Sequence, residues 1–217
     1  MSFGRDRRTT VIVMMSSSGA VRLVLASASP RRSDLLSLLG VPFVVRAADL
    51  DETPELDEDP AAYVARLARA KALAVAEPGD LVIGADTTVV CDGAILGKPT
   101  DREDAVRMLT LLAGRAHDAI TGVSVCLGEQ CRVAVDTSRV TLLPMTVAEI
   151  DWYVQRGECH DKAGAYALQG IAGCFVARVE GSVQNVTGLP MPTVIALARQ
   201  LGIDLLATRS QGCAESD

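Results

Sequence analysis

Leu23-Val24-Leu25-Ala26-Ser27-Ala28-Ser29-Pro30-Arg31-Arg32 is the stretch on which the fold turns, and a leucine-rich run from Leu35 to Leu39, closed by Gly40, follows it. It reads as strand, tight turn and helix. Ser29 is placed to cap the helix and Pro30 to take its first position, where a missing N–H costs nothing. Arg31 and Arg32 then fall in the first turn, the unfavourable end of a helix for cations because the macrodipole is already positive there. Serine hydroxyls, free backbone N–H groups and two guanidinium forks together describe a seat for phosphates. Alone, the segment also fits a capped helix with two solvated arginines.

Outward from this turn, strand-like and helix-like segments alternate without a linker. Pro42 to Arg46 reads as a short strand, and an acidic loop follows, Asp49-Leu50-Asp51-Glu52-Thr53-Pro54-Glu55. Tyr63, Val64, Leu67, Ala70 and Ala74 form a helical stripe over 60–76, ended by Glu77-Pro78-Gly79. The β-rich run 81–90 joins Ala94-Ile95-Leu96 through Asp92-Gly93, a hairpin signal. Thr100 with Glu103, and Thr146 with Glu149, read as capping boxes for two further helices. Between them, 119–127 and 131–143 read as a long hairpin with Gly128 in its turn. Two short strands around Glu180-Gly181 and a last helix over 192–201 complete the reading. The expected fold class is α/β: a mixed twisted sheet with flanking helices, not a strict doubly wound sheet.

Composition bounds the function. Of 217 residues, 49% are apolar but only 3% aromatic, so the core must come from Val, Leu, Ile and Ala. The formal charge of −6 argues against a general nucleic-acid binder, which needs a basic face. No apolar run approaches the length that spans a membrane. The six cysteines (91, 126, 131, 159, 174 and 213) show no metal spacing. They read as free thiols of a reduced, cytoplasmic protein, with a disulfide between Cys126 and Cys131 as the lesser alternative. Residues 1–20 read as a disordered extension and 208–217 as a flexible tail, leaving 21–207 as the domain.

Four further features carry chemistry. Asp86 interrupts an apolar strand, and a buried carboxylate needs a cation, a metal or hydrogen-bond donors. The Asp92-Gly93 hairpin brings Gly97-Lys98-Pro99 beside it: a two-residue turn sets Thr87 opposite Lys98, and a three-residue bulged loop sets Asp86 opposite Lys98. Lys71 lies on the apolar stripe of its helix, either as a snorkelling lysine or as an amine entering a cleft. Glu52, in a loop that also reads as a solvated charge run, joins Asp86 as a candidate ligand for the hard divalent cation (Mg or Mn) that accompanies a polyphosphate. Gln169 sits between apolar neighbours in the loop Asp161-Lys162-Ala163-Gly164-Ala165-Tyr166-Ala167-Leu168-Gln169-Gly170, where its amide suits a base edge or the loop's own backbone. His117 and His160 suggest no relay or metal site.

These segments, in order, resemble the Maf family of nucleoside triphosphate pyrophosphatases over roughly residues 22–206. The matching pieces are Ala26 to Arg32, Asp51-Glu52-Thr53, Lys71 in Arg-Ala-Lys-Ala, Gly84-Ala85-Asp86-Thr87, Gly97-Lys98-Pro99, Asp161 to Gly164 and Gly188-Leu189-Pro190. The resemblance implies a Maf/ITPase-like fold with a deep central cleft, often in a homodimer, that splits a nucleoside triphosphate into monophosphate and pyrophosphate. It assigns the base to Asp86 and the cleft to Ser29, Arg31, Arg32, Glu52, Lys71, Lys98 and Gln169. Arg32, Thr87 and Gln169 match the branch acting on dTTP and UTP, not the 7-methyl-GTP branch, which carries Trp-Arg-Arg, Gln and Glu at those places. Asp86 is then expected to orient and deprotonate a water that attacks the α-phosphorus. The alternative of another class is a nucleotide-binding regulator of septum formation, which would need the phosphate seat but neither an Asp86–Lys98 pairing nor Lys71.

Overall fold

The computed structural model describes residues 14–16 and 19–207. Its strands are β1 (Met14–Ser16), β2 (Gly19–Leu25), β3 (Val44–Val45), β4 (Asp80–Cys91), β5 (Ala94–Leu96), β6 (Ala116–Leu127), β7 (Gln130–Leu142) and β8 (Val176–Glu180). They form one eight-stranded sheet in the order β1-β2-β4-β6-β7-β8, with β3 on β2 and β5 on β4. β2 runs parallel to β3 and β4, while the β4–β6, β6–β7 and β7–β8 pairs are antiparallel. The sheet is therefore mixed, as the alternation of elements predicts.

Alternating side chains sort the central strands into layers. Leu23, Leu25, Leu81 and Ile83 meet Leu35 and Leu36 of α1 (Pro30–Ser37) and Val194 and Leu197 of α6 (Met191–Gln200). On the other face Val24, Val82 and Cys126 meet Ala72 of α2 (Pro60–Ala74). A second core lies around the distal halves of β4, β6 and β7, where Val89 and Val140 meet α3 (Arg102–Leu112), α4 (Val147–Gln155) and Tyr166. β2 and β3 are anchored at one end by buried Asp80, which accepts from Arg22 Nε at 2.7 Å and Arg46 Nη1 at 2.6 Å.

Two glycines bring α2 unusually close to the sheet. A Cβ on Gly84 would stand 2.1 Å from the Ala68 carbonyl oxygen, and one on Gly122 2.3 Å from that of Val64. Glycine at these two places lets the helix backbone lie on the strands, which sets how far a side chain of α2 must reach.

Several expectations need correction. Residues 1–20 are not wholly unstructured: Met14–Ser16 pairs antiparallel with Gly19–Val21 at the edge of the sheet. The rest of that segment, and 208–217, lie outside the described residues. Ser29 occupies the N-cap of α1 without a side-chain cap bond; its N–H instead donates to Ser27 Oγ at 3.2 Å. The cap of α3 is Asp101, one residue beyond Thr100, and it accepts from the Asp104 N–H at 2.7 Å. Of the two short strands expected around Glu180-Gly181 only β8 forms; Ser182 then caps a short helix, α5 (Val183–Thr187). Cys126 and Cys131 form a disulfide, so the reading of all cysteines as free thiols fails for this pair. The hairpin register sets them directly opposite each other with Cα atoms 4.1 Å apart. The Thr146–Glu149 capping box is present.

Candidate active site

β2 ends at Leu25, opposite Ile83, whereas β4 continues to Cys91. Beyond that point the β2-side edge of β4 has no neighbouring strand until β5 joins at Val89. Ligands of parallel-sheet proteins collect outside the carboxyl ends of the strands, where the connections diverge. Here a cavity of about 910 Å³ opens there, within the roughly 300–1,000 Å³ typical of small-molecule sites. Asp86 and Thr87, neighbours on opposite faces of β4, both line it.

All nine residues singled out by sequence line this one cavity. Ser29, Arg31 and Arg32 enter from the β2–α1 turn, Glu52 from the acidic loop and Lys71 from α2; Asp86, Thr87, Lys98 and Gln169 complete the set. Lys71 is the snorkelling lysine of neither solvent nor core. Its Nζ lies 2.6 Å from Asp86 Oδ1 and 2.5 Å from Glu52 Oε1, with the side chain 9% exposed. The approach of α2 over Gly84 makes this reach possible, since Gly84 and Asp86 share a face of β4.

Of the two registers open to the hairpin, the two-residue turn forms, and the Asp86–Lys98 pair that the bulged loop would have made is not present among the described residues. The hairpin closes with the two-residue turn Asp92-Gly93, Cys91 pairing with Ala94, and its ladder ends at Val89 opposite Leu96. Lys98 reaches Glu52 Oε2 instead, at 3.5 Å. Burial pushes the Glu52 carboxyl up, but Lys71 and Lys98 outweigh it and hold the group below the usual carboxylate range. Asp86 keeps Oδ2 without a protein donor among the described residues.

Sequence reasoning missed what fixes the acidic loop. Tyr63, assigned only to the apolar stripe, donates its hydroxyl to the Glu52 carbonyl at 2.8 Å. Burial and the charges of Asp86 and Glu52 push the Tyr63 hydroxyl up to about 12, so it stays a donor. Arg66, one turn on, clamps Glu58 through Nε at 2.7 Å and Nη2 at 2.6 Å. The signal was available: a tyrosine on a core stripe brings a hydroxyl that must find a partner.

The two arginines of the first turn divide. Arg31 is loosely paired, 3.6 Å from Asp161. Arg32 is tied down: Nε donates to Gly188 O at 2.8 Å, Nη1 to Ser27 Oγ at 3.1 Å and Nη2 to Thr87 Oγ1 at 3.0 Å. Burial lowers its pKa, with the Asp86 carboxylate opposing that shift. Gln169 makes no side-chain hydrogen bond to its own loop among the described residues, leaving its amide to the cavity. That loop is held from behind by Glu158, which accepts from the Ile171 N–H at 2.9 Å and the Tyr153 hydroxyl at 2.9 Å.

No group of three or more His, Cys, Asp or Glu suited to a metal ion exists among the described residues. The donor set is two carboxylates, both in contact with Lys71. That suits a magnesium-like ion held by one or two carboxylates with substrate phosphates as its other ligands, and does not suit an all-protein cage.

An acidic floor neutralised by a buried lysine, with further cations at a helix N-terminus, defines an α/β protein built to receive a polyanion. The chain belongs to the Maf-like protein family, whose model matches residues 22–201. Its curated relatives include a dTTP/UTP pyrophosphatase of Myxococcus xanthus, 51% identical over 84% of this chain and 94% of that protein. A dTTP/UTP pyrophosphatase of Symbiobacterium thermophilum is 45% identical over 83% of this chain and 94% of that protein. Among solved structures, the Staphylococcus aureus Ham1 protein superposes with a TM-score of 0.39 at 16% identity, over 56% of this chain and 71% of that one. No helix among the described residues is long and apolar enough to cross a membrane.

Proposed function

We propose that this chain, through one domain over residues 21–207, hydrolyses dTTP and UTP to the monophosphate and pyrophosphate, clearing surplus or modified pyrimidine nucleotides. The observation that carries the chemistry is the Asp86–Lys71–Glu52 cluster on the cavity floor, with Arg31 and Lys98 beside it. The base preference rests on the relatives' names and on Arg32, Thr87 and Gln169, which match that branch and line the cavity. Cytoplasmic location and a homodimer belong to the same reading.

Arg31, Lys98 and the N–H groups at the start of α1 hold the phosphates, in the electropositive setting that a helix N-terminus supplies. Asp86 accepts a proton from water as the water oxygen bonds to the α-phosphorus, and the bond from that phosphorus to the bridging oxygen breaks. Pyrophosphate leaves with that oxygen. Lys71 helps hold the Glu52 carboxyl low and fixes the positions of both carboxylates. A divalent cation, Mg or Mn, would be held by Glu52 and Asp86 and would supply further neutralisation of phosphate charge. Most of the rate then comes from positioning and from charge stabilisation.

The test is a nucleotide panel with Mg²⁺ or Mn²⁺ scored for both pyrophosphate and orthophosphate. Pyrophosphate from dTTP and UTP is expected, and Asp86→Asn should lower kcat by at least about a hundredfold, the usual scale for loss of a general base. Orthophosphate as the product would mean attack at the γ-phosphorus and would overturn the proposal.

A further inference from the structure

Behind Thr87 lies a chain of buried groups that no substrate can touch. Thr87 and Thr121 are opposite each other in the β4–β6 ladder, and their hydroxyl oxygens stand 3.0 Å apart. Thr121 Oγ1 in turn lies 2.9 Å from the main-chain carbonyl of Asn185. Thr121 and Asn185 are fully buried. Asn185 is itself immobilised, its Nδ2 donating to Ala119 O at 3.0 Å and Ser138 Oγ at 2.9 Å.

The protons along this chain can be counted. Oxygen atoms at hydrogen-bond distance need a proton between them, and each threonine hydroxyl has one. The Asn185 carbonyl has none, so the Thr121 proton lies on that contact. The Thr87–Thr121 contact is left to the Thr87 proton. Arg32 Nη2 donates to Thr87 Oγ1 at 3.0 Å, so one of that oxygen's two lone pairs is taken as well. A cation at one end and a carbonyl at the other fix the polarity of the whole series. Thr87 therefore has no proton for the cavity it lines, and a single lone pair.

We infer that Thr121, backed by the Asn185 carbonyl, is a specificity-positioning residue that locks Thr87 as an acceptor, so the cleft selects a base presenting N–H to it. Arg32 completes the reading: of its five N–H donors three are committed to Gly188, Ser27 and Thr87, and one on each Nη remains. An acceptor next to a guanidinium N–H complements an N–H next to a carbonyl. The imide edge of uracil or thymine offers that arrangement at N3, flanked by O2 and O4. Cytosine has an unprotonated N3 in the same place and sets lone pair against lone pair. A buried group left facing the wrong partner rejects a substrate more strongly than a lost contact does.

This inference rests on the dTTP/UTP reading above, and its experiment separates the two. kcat/KM is measured for UTP and CTP with wild type, Thr121→Val and Thr121→Ser. Valine keeps the shape of threonine but removes the acceptor, freeing the Thr87 proton to turn into the cavity. The expected result is a fall in the UTP-over-CTP ratio of about tenfold, arising in KM while kcat for UTP changes little, the scale of one mis-set hydrogen bond. Serine keeps the hydroxyl and should hold the ratio within about twofold. Thr121→Ala gives the same readout should the valine variant fail to fold. A preserved ratio in Thr121→Val or Thr121→Ala, or an equal loss in Thr121→Ser, overturns the role of Thr121 alone. A wild type without preference for UTP over CTP overturns the base reading and this inference with it.

Discussion

Lys71 illustrates how a single side chain can set the chemistry of two others. Its ammonium touches Asp86 and Glu52 at 2.6 and 2.5 Å in a nearly enclosed position, where replacing the cation leaves two carboxylates facing each other. Lys71→Met keeps length and apolar stem while removing the charge. Without a cation nearby, a carboxylate favours the protonated form. Glu52, now held low by Lys71 and Lys98 against the effect of burial, loses the larger of those two supports. Glu52 then ionises only at a higher pH, and with it the acidic floor on which the phosphates' cation would sit. The acid limb of the pH–rate profile should move upward in Lys71→Met, with kcat at neutral pH down by at least about a hundredfold. An unmoved acid limb would show that Lys71 contributes position and no electrostatic support. Stability should fall as well, since removing one member of a buried ion pair typically costs about 3–5 kcal/mol.

At the scale of elements, α2 and its bed on β4 and β6 decide whether that lysine arrives. Gly84→Ala places a methyl 2.1 Å from the Ala68 carbonyl oxygen and 2.9 Å from the Ala72 nitrogen. Both are helix backbone, which cannot turn aside as a side chain can, so α2 must lift. Overpacking of this kind costs roughly 1–3 kcal/mol, or a Tm drop on the order of 2–12 °C for a chain of this size. Activity should fall further than stability explains, because the lift carries Lys71 away from Asp86. A variant that loses Tm yet keeps full kcat at 20 °C would refute that coupling. The sequence made α2 itself legible through its apolar stripe and its Glu77-Pro78-Gly79 stop. It hid the closeness of approach, since glycine in a strand has several explanations until a neighbour is known. The same limit explains the candidate site. Asp86, Lys71, Arg31 and Arg32 were legible as anomalies: a buried acid, a stripe lysine, arginines at the positive end of a helix. Their pairing was not, because Lys71 and Lys98 are equally plausible partners for Asp86 on charge alone. Three-dimensional reach separated them, sending Lys98 to Glu52. Cys126 and Cys131 show the local version: spacing left a disulfide open, and the strand register brought the sulfurs together.

Across the whole molecule, the two cores on either side of the cleft differ in what they bury. The one around β2, α1 and α6 is aliphatic. The one around α3 and α4 adjoins His117, which is 2% exposed and has Nε2 at 2.8 Å from the hydroxyl of Tyr166. Tyr166 also lines the cavity, so this core adjoins the site. Burial lowers the His117 pKa from 6.5 to about 4. The sign follows from which state binds the proton. Between these two values the unfolded chain is protonated at this residue and the folded chain is not, so stability rises with pH there. The contribution is complete above the unfolded value and is lost as pH falls from about 6.5 towards 4. Between pH 7.5 and 5 the loss amounts to roughly 2 kcal/mol, or on the order of 4–8 °C in Tm for a chain of this size. Carboxylates titrate over part of the same range, so the comparison must be internal. His117→Gln keeps a polar group near Tyr166 and does not titrate. Its Tm should decline less than that of wild type between the two pH values, by about that difference, whatever its absolute stability. Equal declines would mean that His117 carries its proton in the folded protein, with Tyr166 as its acceptor, and that the acid sensitivity of the fold arises among the carboxylates around the cleft.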